Sequence, residues 1–375
     1  MFSSHRRGPS PIEPQNPSAA PSSTVAASVA SAGVPACTDP AAAMLAQMPI
    51  RDKLAQLLMV GVTDADDARQ VVATQHVGGI FIGSWTDLSM LNDGSLAAIA
   101  ATSGPFPLAV SVDEEGGRVE RLAKLIGEQP SPRVLAQTRT PPEVYAIALD
   151  RGRKMRALGI TVDFAPVVDV TAAPDDSVIG DRSFGADPDT VMRFAQVYTQ
   201  GLRDAGVMPV LKHFPGHGHG SGDSHTGQVT TPPLSSLKDD DLIPYRTLIA
   251  QPPVAVMVGH LQVPELTGTE PASLSPAAYA LLRSGDYGGT PFTGWVFTDD
   301  LSSMAAITSR YGVAEAALRA LQAGADTALW ITTDQVPAVL DRLVEAYNSG
   351  DLRAGRVDDA LHHVAAGKHV GSCGG

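Results

Sequence analysis

VMPVLKHFPGHGHGSGDSHTG, residues 207–227, joins two kinds of chain without a break. The first part, VMPVLKH (207–213), is almost continuously apolar until its last two residues. A strand exposed on one face would alternate polar and apolar positions. A strand buried on both faces, as in a parallel sheet covered by helices, does not. The second part has the composition of a loop. Residues 212–227 carry Lys212, His213, His217, His219, Asp223 and His225 among five glycines. A buried strand ending in a cluster of ionisable side chains is the grammar of an α/β enzyme, whose chemistry gathers at the carboxyl ends of parallel strands.

The same pattern recurs along the chain. LLMVGV (57–62), GIFIG (79–83), LAVSVD (108–113), ITVDFAP (160–166), VAVMVGH (254–260), WVFTDD (295–300) and TALWI (327–331) complete a set of eight apolar runs. Helical signals fall between them. Asp187 and Pro188 suit the cap and first turn of a helix. Val191, Phe194, Val197, Tyr198 and Leu202 would share one face of it, and Gly206 can close it. Residues 141–159 and 309–324 follow the same rules. Eight strands alternating with helices predict an α/β chain folded as a (β/α)₈ TIM barrel, a single catalytic domain over residues 48–370. A doubly wound open sheet is the alternative. No GxGxxG or Walker sequence follows the first run, which weighs against it.

Hydrophobic residues make up 43% of the 375 and charged residues 18%, a balance that supports a sizeable core. Forty acidic against 27 basic side chains give a net charge of −13. Such a surface repels phosphate backbones, so nucleic acid is not an expected partner. No apolar stretch reaches the roughly 18 residues of a transmembrane helix. The opening SSHRRGPSP lacks the apolar centre of a signal peptide. Residues 1–47 are rich in Pro, Ser and Ala, bury too little apolar surface to offset their ordering entropy, and are expected to form a flexible tether. Two cysteines stand at opposite ends, Cys37 and Cys373. They are either unrelated thiols or a disulfide between the tails, and the second would imply an exported protein.

The candidate chemistry lies where these runs end. The third run ends in Asp113 and is followed by EEGGRVERL. The fourth holds Asp163, with Asp169 and GDRSFG beyond it. The fifth ends in Lys212 and His213, the sixth in His260, the seventh in Asp299 and Asp300. Any one of these could be a structural buried polar group, but five strands aiming ionisable groups at one rim are hard to ascribe to packing alone. Within the fifth loop, His217 and His219 have HxH spacing, so a metal-dependent hydrolase built on the 213–225 histidines is one reading. Another is an acid/base pair. A carboxylate at Asp223 would fix the tautomer of His225 and raise its basicity, provided the loop folds back on itself, and glycines 216, 218, 220, 222 and 227 would let it move. Asp299 follows an apolar strand, a placement that suits a rigidly held nucleophilic carboxylate. Asp300 is expected to point away, yet the residues alone leave the choice between the two open. Lys212, Arg121 and Arg182 can donate to sugar hydroxyls, and Asp113 can accept from a vicinal diol. Surface ion pairing is the plainer reading of the arginines.

VDEEGGRVERL (112–122), GDRSFG (180–185), KHFPGHGHGSGDSH (212–225) and FTDDLSSM (297–304) together resemble glycoside hydrolase family 3. Within it they are similar to the bacterial single-domain β-N-acetylglucosaminidases acting on peptidoglycan fragments. The resemblance covers about residues 50–365. It implies a retaining enzyme without cofactor or metal, in which Asp299 is the nucleophile, His225 the acid/base and Asp223 its partner. It also implies sugar binding by Asp113, Arg121, Arg182, Lys212 and His213. Glu114 stands where many members have glutamine, beside the binding aspartate, and is expected to tune the site. The sequence holds no second α/β domain after the barrel, in keeping with a loop-borne histidine. A neutral imidazole repels an incoming anion less than a carboxylate would, so phosphate is a conceivable acceptor in place of water. The expected partner is a peptidoglycan-derived oligosaccharide, taken by a monomer at the cell envelope or secreted, with the cytoplasm as the alternative. A peptidoglycan-binding protein without turnover is a third reading, weakened by the intact Asp299, Asp223 and His225.

Overall fold

A computed structural model describes residues 40–104 and 106–370. Each of the eight apolar runs contains a strand: β1 (Leu58–Val62), β2 (Gly79–Ile82), β3 (Ala109–Val112), β4 (Val162–Asp163), β5 (Met208–Phe214), β6 (Ala255–Val258), β7 (Val296–Thr298) and β8 (Ala328–Trp330). Their order in the sheet is β7-β6-β5-β4-β3-β2-β1-β8, and every pairing is parallel. A parallel bridge between Phe297 and Thr327 joins the two ends of this order. Leu301 N–H also donates to Leu329 O at 2.9 Å. The sheet is therefore a closed barrel, the expected (β/α)₈ architecture. Every residue of these strands is buried, which is why their sequences do not alternate. β4 is only two residues long. Pro166 cannot donate to the ladder, and pairing resumes at Val167, which bridges Lys212.

The helix Pro188–Asp204 bears out its sequence signals. The Asp187 carboxylate accepts from Thr190 N–H at 2.9 Å, and Val191, Phe194, Tyr198 and Leu202 are buried. It lies against the helix Pro141–Ala157. A Cβ on Gly201 would come within 2.7 Å of Ala148 Cβ and 2.8 Å of Tyr145 O, so a larger residue would push the helices apart. The stretch expected to be helical from 309 begins later, as Val313–Ala323. Gly312 before it is extended (φ −73°, ψ 160°), and a separate short helix, Ala305–Thr308, precedes the break.

The flexible tether was expected to run to residue 47, but the last eight of those residues are helical. Pro40–Gln47 is a helix that buries Ala41 and Leu45. Residues 1–39, and with them Cys37, lie outside the described residues, as does Cys373. No described helix is long and apolar enough to cross a membrane.

Candidate active site

The segments that leave the carboxyl ends of β3, β4, β5 and β7 meet around one cavity of about 270 Å³. Asp113, Arg121, Arg182, Lys212, His213, His225 and Asp299 all line it. Asp223 does not, and stands behind His225 as its partner. The barrel interior beneath is filled by aromatic rings. Phe164 lies edge-on to Phe297 at 5.4 Å and 5.8 Å from Phe81.

The floor of the site is a chain of buried ion pairs. Lys212 Nζ donates to Asp113 Oδ1 at 2.6 Å and lies 2.6 Å from Glu115 Oε1. Arg182 grips Glu115 with two bonds, at 2.7 and 2.8 Å. Two expected sugar ligands, Lys212 and Arg182, are thus joined by a residue not singled out in the sequence, Glu115, and Lys212 links them to a third, Asp113. The two adjacent glutamates 114 and 115 were the available signal, since successive positions in an extended segment face opposite ways. Burial pushes the Glu115 carboxyl up, but Arg182 and Lys212 outweigh it and hold the group well below the usual carboxylate range. Asp113 and Glu115 raise Lys212 against its own burial and the nearby Arg182, so it stays charged.

Glu114 does not line the cavity; it turns away from it into the protein. It is fully buried. Oε2 accepts from Arg121 N–H at 2.8 Å and Leu122 N–H at 2.9 Å, and Oε1 pairs with Arg151. Arg151, 37 residues on in sequence in the helix Pro141–Ala157, had no recognisable signal. The carboxylate shapes the segment that presents Arg121.

β5 delivers two consecutive side chains to the cavity. Its register with β6 shifts between Leu211 and Phe214, an irregularity that re-aims the strand so that Lys212 and His213 both line the site. His213 Nδ1 lies 2.7 Å from Asp169 Oδ2, and Asp169 Oδ1 accepts from His217 N–H at 2.7 Å. Asp169 therefore anchors the root of the loop. The loop then folds back as the acid/base reading required. Asp223 Oδ1 accepts from His225 N–H at 2.9 Å and lies 2.7 Å from His225 Nδ1. With Nδ1 bonded to the carboxylate, Nε2 is the nitrogen left for proton transfer. Burial tends to raise the Asp223 pKa, but the backbone and ring N–H groups of His225 lower it overall. The His225 ring is 55% exposed.

Not all five glycines confer mobility. A Cβ on Gly218 would fall 2.0 Å from Val170 O, so this glycine permits close packing of the loop against the β4 segment. Gly227 has open space around it. The outer loop touches the β7 side through Ala306 N–H, which donates to Ser224 O at 3.1 Å, and Ala305 N–H, which donates to His225 O at 3.3 Å.

The two aspartates after β7 are separated by their partners. Both line the cavity. Asp300 is consumed by a turn: Oδ1 accepts from the N–H and hydroxyl of Ser302, both at 2.8 Å, and Oδ2 from the N–H and hydroxyl of Ser303. The expectation that it points away is replaced by this capping role. Asp299 accepts one bond, from Asp300 N–H at 2.9 Å. Burial would raise its pKa, yet His260, His213, the Asp300 N–H and Lys212 together lower it. His260 is fixed between Ser273 Oγ and Asp300 O, each at 2.7 Å.

The histidines do not assemble as a single metal centre among the described residues. His213 is held by Asp169 and His225 by Asp223. His219 pairs with Asp241 at 3.0 Å and lies 3.8 Å from Asp240. Among the described residues, the grouping with ligand spacing is His219, Asp240 and Asp241, which omits His217 and does not line the cavity.

Residues 49–366 match the glycosyl hydrolase family 3 N-terminal domain. The chain is 66% identical to the β-hexosaminidase LpqI of Mycobacterium tuberculosis over 334 residues, 88% of this chain and 86% of that one. A crystal structure of a glycosyl hydrolase family 3 member from Mycobacterium smegmatis superposes with a TM-score of 0.86 at 73% identity, over 86% of this chain and 98% of the other. A family 3 β-N-acetylglucosaminidase from a Paenibacillus species superposes with a TM-score of 0.80 at 34% identity, over 88% and 64% of the two chains.

Proposed function

This chain belongs to glycosyl hydrolase family 3 and is a glycoside hydrolase, and from that premise we propose that it removes terminal N-acetylglucosamine from peptidoglycan fragments with retention of configuration. One observation carries the reading: an ionised, rigidly seated Asp299 and an Asp223-bonded His225 line the same cavity. The β-hexosaminidase and β-N-acetylglucosaminidase relatives support the sugar.

In this mechanism Asp299 attacks the anomeric carbon while His225, as imidazolium, protonates the departing oxygen. A glycosyl ester on Asp299 forms. His225, now neutral, takes a proton from water, which opens the ester from the same face that the leaving group left. Asp223 stabilises the imidazolium and fixes its tautomer. Lys212, Arg182, Arg121, His213 and Asp113 hold the ring hydroxyls and the N-acetyl group. Glu115 pairs Lys212 with Arg182, Lys212 holds Asp113 and Asp169 holds His213, so these groups are placed before substrate arrives and binding does not have to order them. The cavity volume of about 270 Å³ lies at the small end for ligand sites, which suits one terminal sugar and an exo action. The cell envelope is the compartment that fits such a substrate.

The test is digestion of a GlcNAc-MurNAc disaccharide, with and without its peptide stem, followed by NMR of the first-formed sugar. Release of the β-anomer of GlcNAc supports the proposal. Release of the α-anomer contradicts retention, and turnover of a chromogenic β-GlcNAc with none of the disaccharide contradicts the peptidoglycan substrate.

A further inference from the structure

The opposite end of the barrel holds a second cavity, of about 280 Å³, under the amino-terminal ends of β3, β4 and β5. Arg156, Arg203, Lys368 and His369 line it, and no carboxylate does. This is unexpected in a chain of net charge −13. A neighbouring group on the same face pairs its half-buried cations with a buried carboxylate: Asp326 takes Arg283 at 2.6 Å, Arg356 at 2.7 Å and His363 at 3.0 Å. Half-buried Arg203 and Lys368 and the more exposed Arg156 make no ion pair among the described residues. Arg156 donates to Ile160 O at 3.1 Å, Arg203 to Gln251 O, and Lys368 to Gly78 O at 2.6 Å and Gln56 Oε1 at 3.3 Å. All of these acceptors are neutral. The nearby Asp204 is engaged by Tyr145 Oη at 2.8 Å.

We propose that this cavity binds a small oxyanion, of the phosphate, sulfate or carboxylate class, between Arg156, Arg203 and Lys368. Guanidinium groups present several N–H donors in a plane, and each arginine here spends only part of its set on backbone carbonyls. Burial without a counter-charge also leaves its mark on Lys368, whose amine is pushed down to about 7. An anion in the cavity supplies the missing charge and restores the ammonium. The site lies at the face of the barrel away from the catalytic rim, so it is independent of the cavity that holds Asp299.

Lys368 reports its own occupancy. At about pH 7.5 a lysine of this kind is partly neutral and reacts with an activated ester ahead of ordinary lysines. The full-length protein is acylated with or without inorganic sulfate, with chloride at matched ionic strength as control, and Lys368 is quantified by peptide mass spectrometry. Sulfate is expected to slow its acylation by about tenfold or more, unaffected by saturating GlcNAc. Arg203→Gln is expected to remove that protection while kcat/KM on a chromogenic substrate is unchanged, and Arg156→Gln serves if the first variant does not fold. Equal acylation with sulfate and chloride overturns the proposal. So does protection that survives both substitutions, or protection that GlcNAc abolishes, which would put the anion at the catalytic end.

Discussion

The nucleophile side and the acid/base side of this site are built differently. Asp299 follows a barrel strand, is 8% exposed, and sits above a packed aromatic interior beside ion pairs that are themselves buried. His225 rides on a glycine-rich loop with its ring more than half exposed, held by one carboxylate and two backbone contacts. The difference matches what each group must do. A nucleophile forms and breaks a bond at one fixed atom, so rigidity helps. An acid/base must first meet a leaving group and then a water molecule in the same place, so its surroundings have to admit both.

The largest effect should come from the rigid side. Asp299→Asn is expected to lower kcat by about 10⁴-fold or more with the fold intact, as judged by circular dichroism and unchanged thermal unfolding. A residual rate close to wild type would move the nucleophile elsewhere. On the loop side, His225→Ala should cost about 10²- to 10⁴-fold on natural glycosides. The loss should shrink as the leaving group becomes more acidic, because a good leaving group needs no proton. A loss independent of leaving group, measured across substituted phenyl glycosides, would remove His225 from that role. Asp223→Ala should follow the same leaving-group trend with a smaller loss.

Stability should separate the two sides again. Arg151→Met strips the counter-charge from buried Glu114 and is expected to destabilise by about 3 kcal/mol or more, seen as a fall in the thermal midpoint. Substitutions in the outer loop at Ser221 or Thr226 should stay within about 0.5 kcal/mol. The pH profile carries a smaller signature. Asp299 and Asp223 have pKa values lowered below the ordinary aspartate range. Their ionised forms are the active ones and the first step uses His225 as imidazolium, so kcat/KM should persist as pH falls and be lost only below about 4. An acid limb of kcat/KM well above that would mean that Asp299 is not the group titrating. Smallest of all is metal removal: dialysis against a chelator should leave the rate unchanged, and a loss restored by zinc would revive the metal-dependent reading.

The barrel was the most legible part of the chain. Burial on both faces makes each parallel strand continuously apolar, and that needs no knowledge of its partners. The loop geometry at Asp223 and His225 was legible because both members lie within three residues. Long-range pairings were not. Glu115 joins Arg182 and Lys212 from separate strand ends, and Glu114 finds Arg151 across the helix layer, contacts that only closure of the barrel creates. The choice between Asp299 and Asp300 lay in Ser302 and Ser303, which could be read as turn-capping partners only once the turn was seen. Gly218 looked like a source of mobility, and its packing against Val170 appears only when two loops are in place.

The central claim is that Asp299 forms the covalent link to the sugar. Incubation with a 2-fluoro glycoside bearing a good leaving group should add one sugar mass to the intact protein, and digestion should place it on the peptide containing Phe297–Ser302, at Asp299. A label on Asp300 or any other residue, or complete inactivation without a label, would contradict the account.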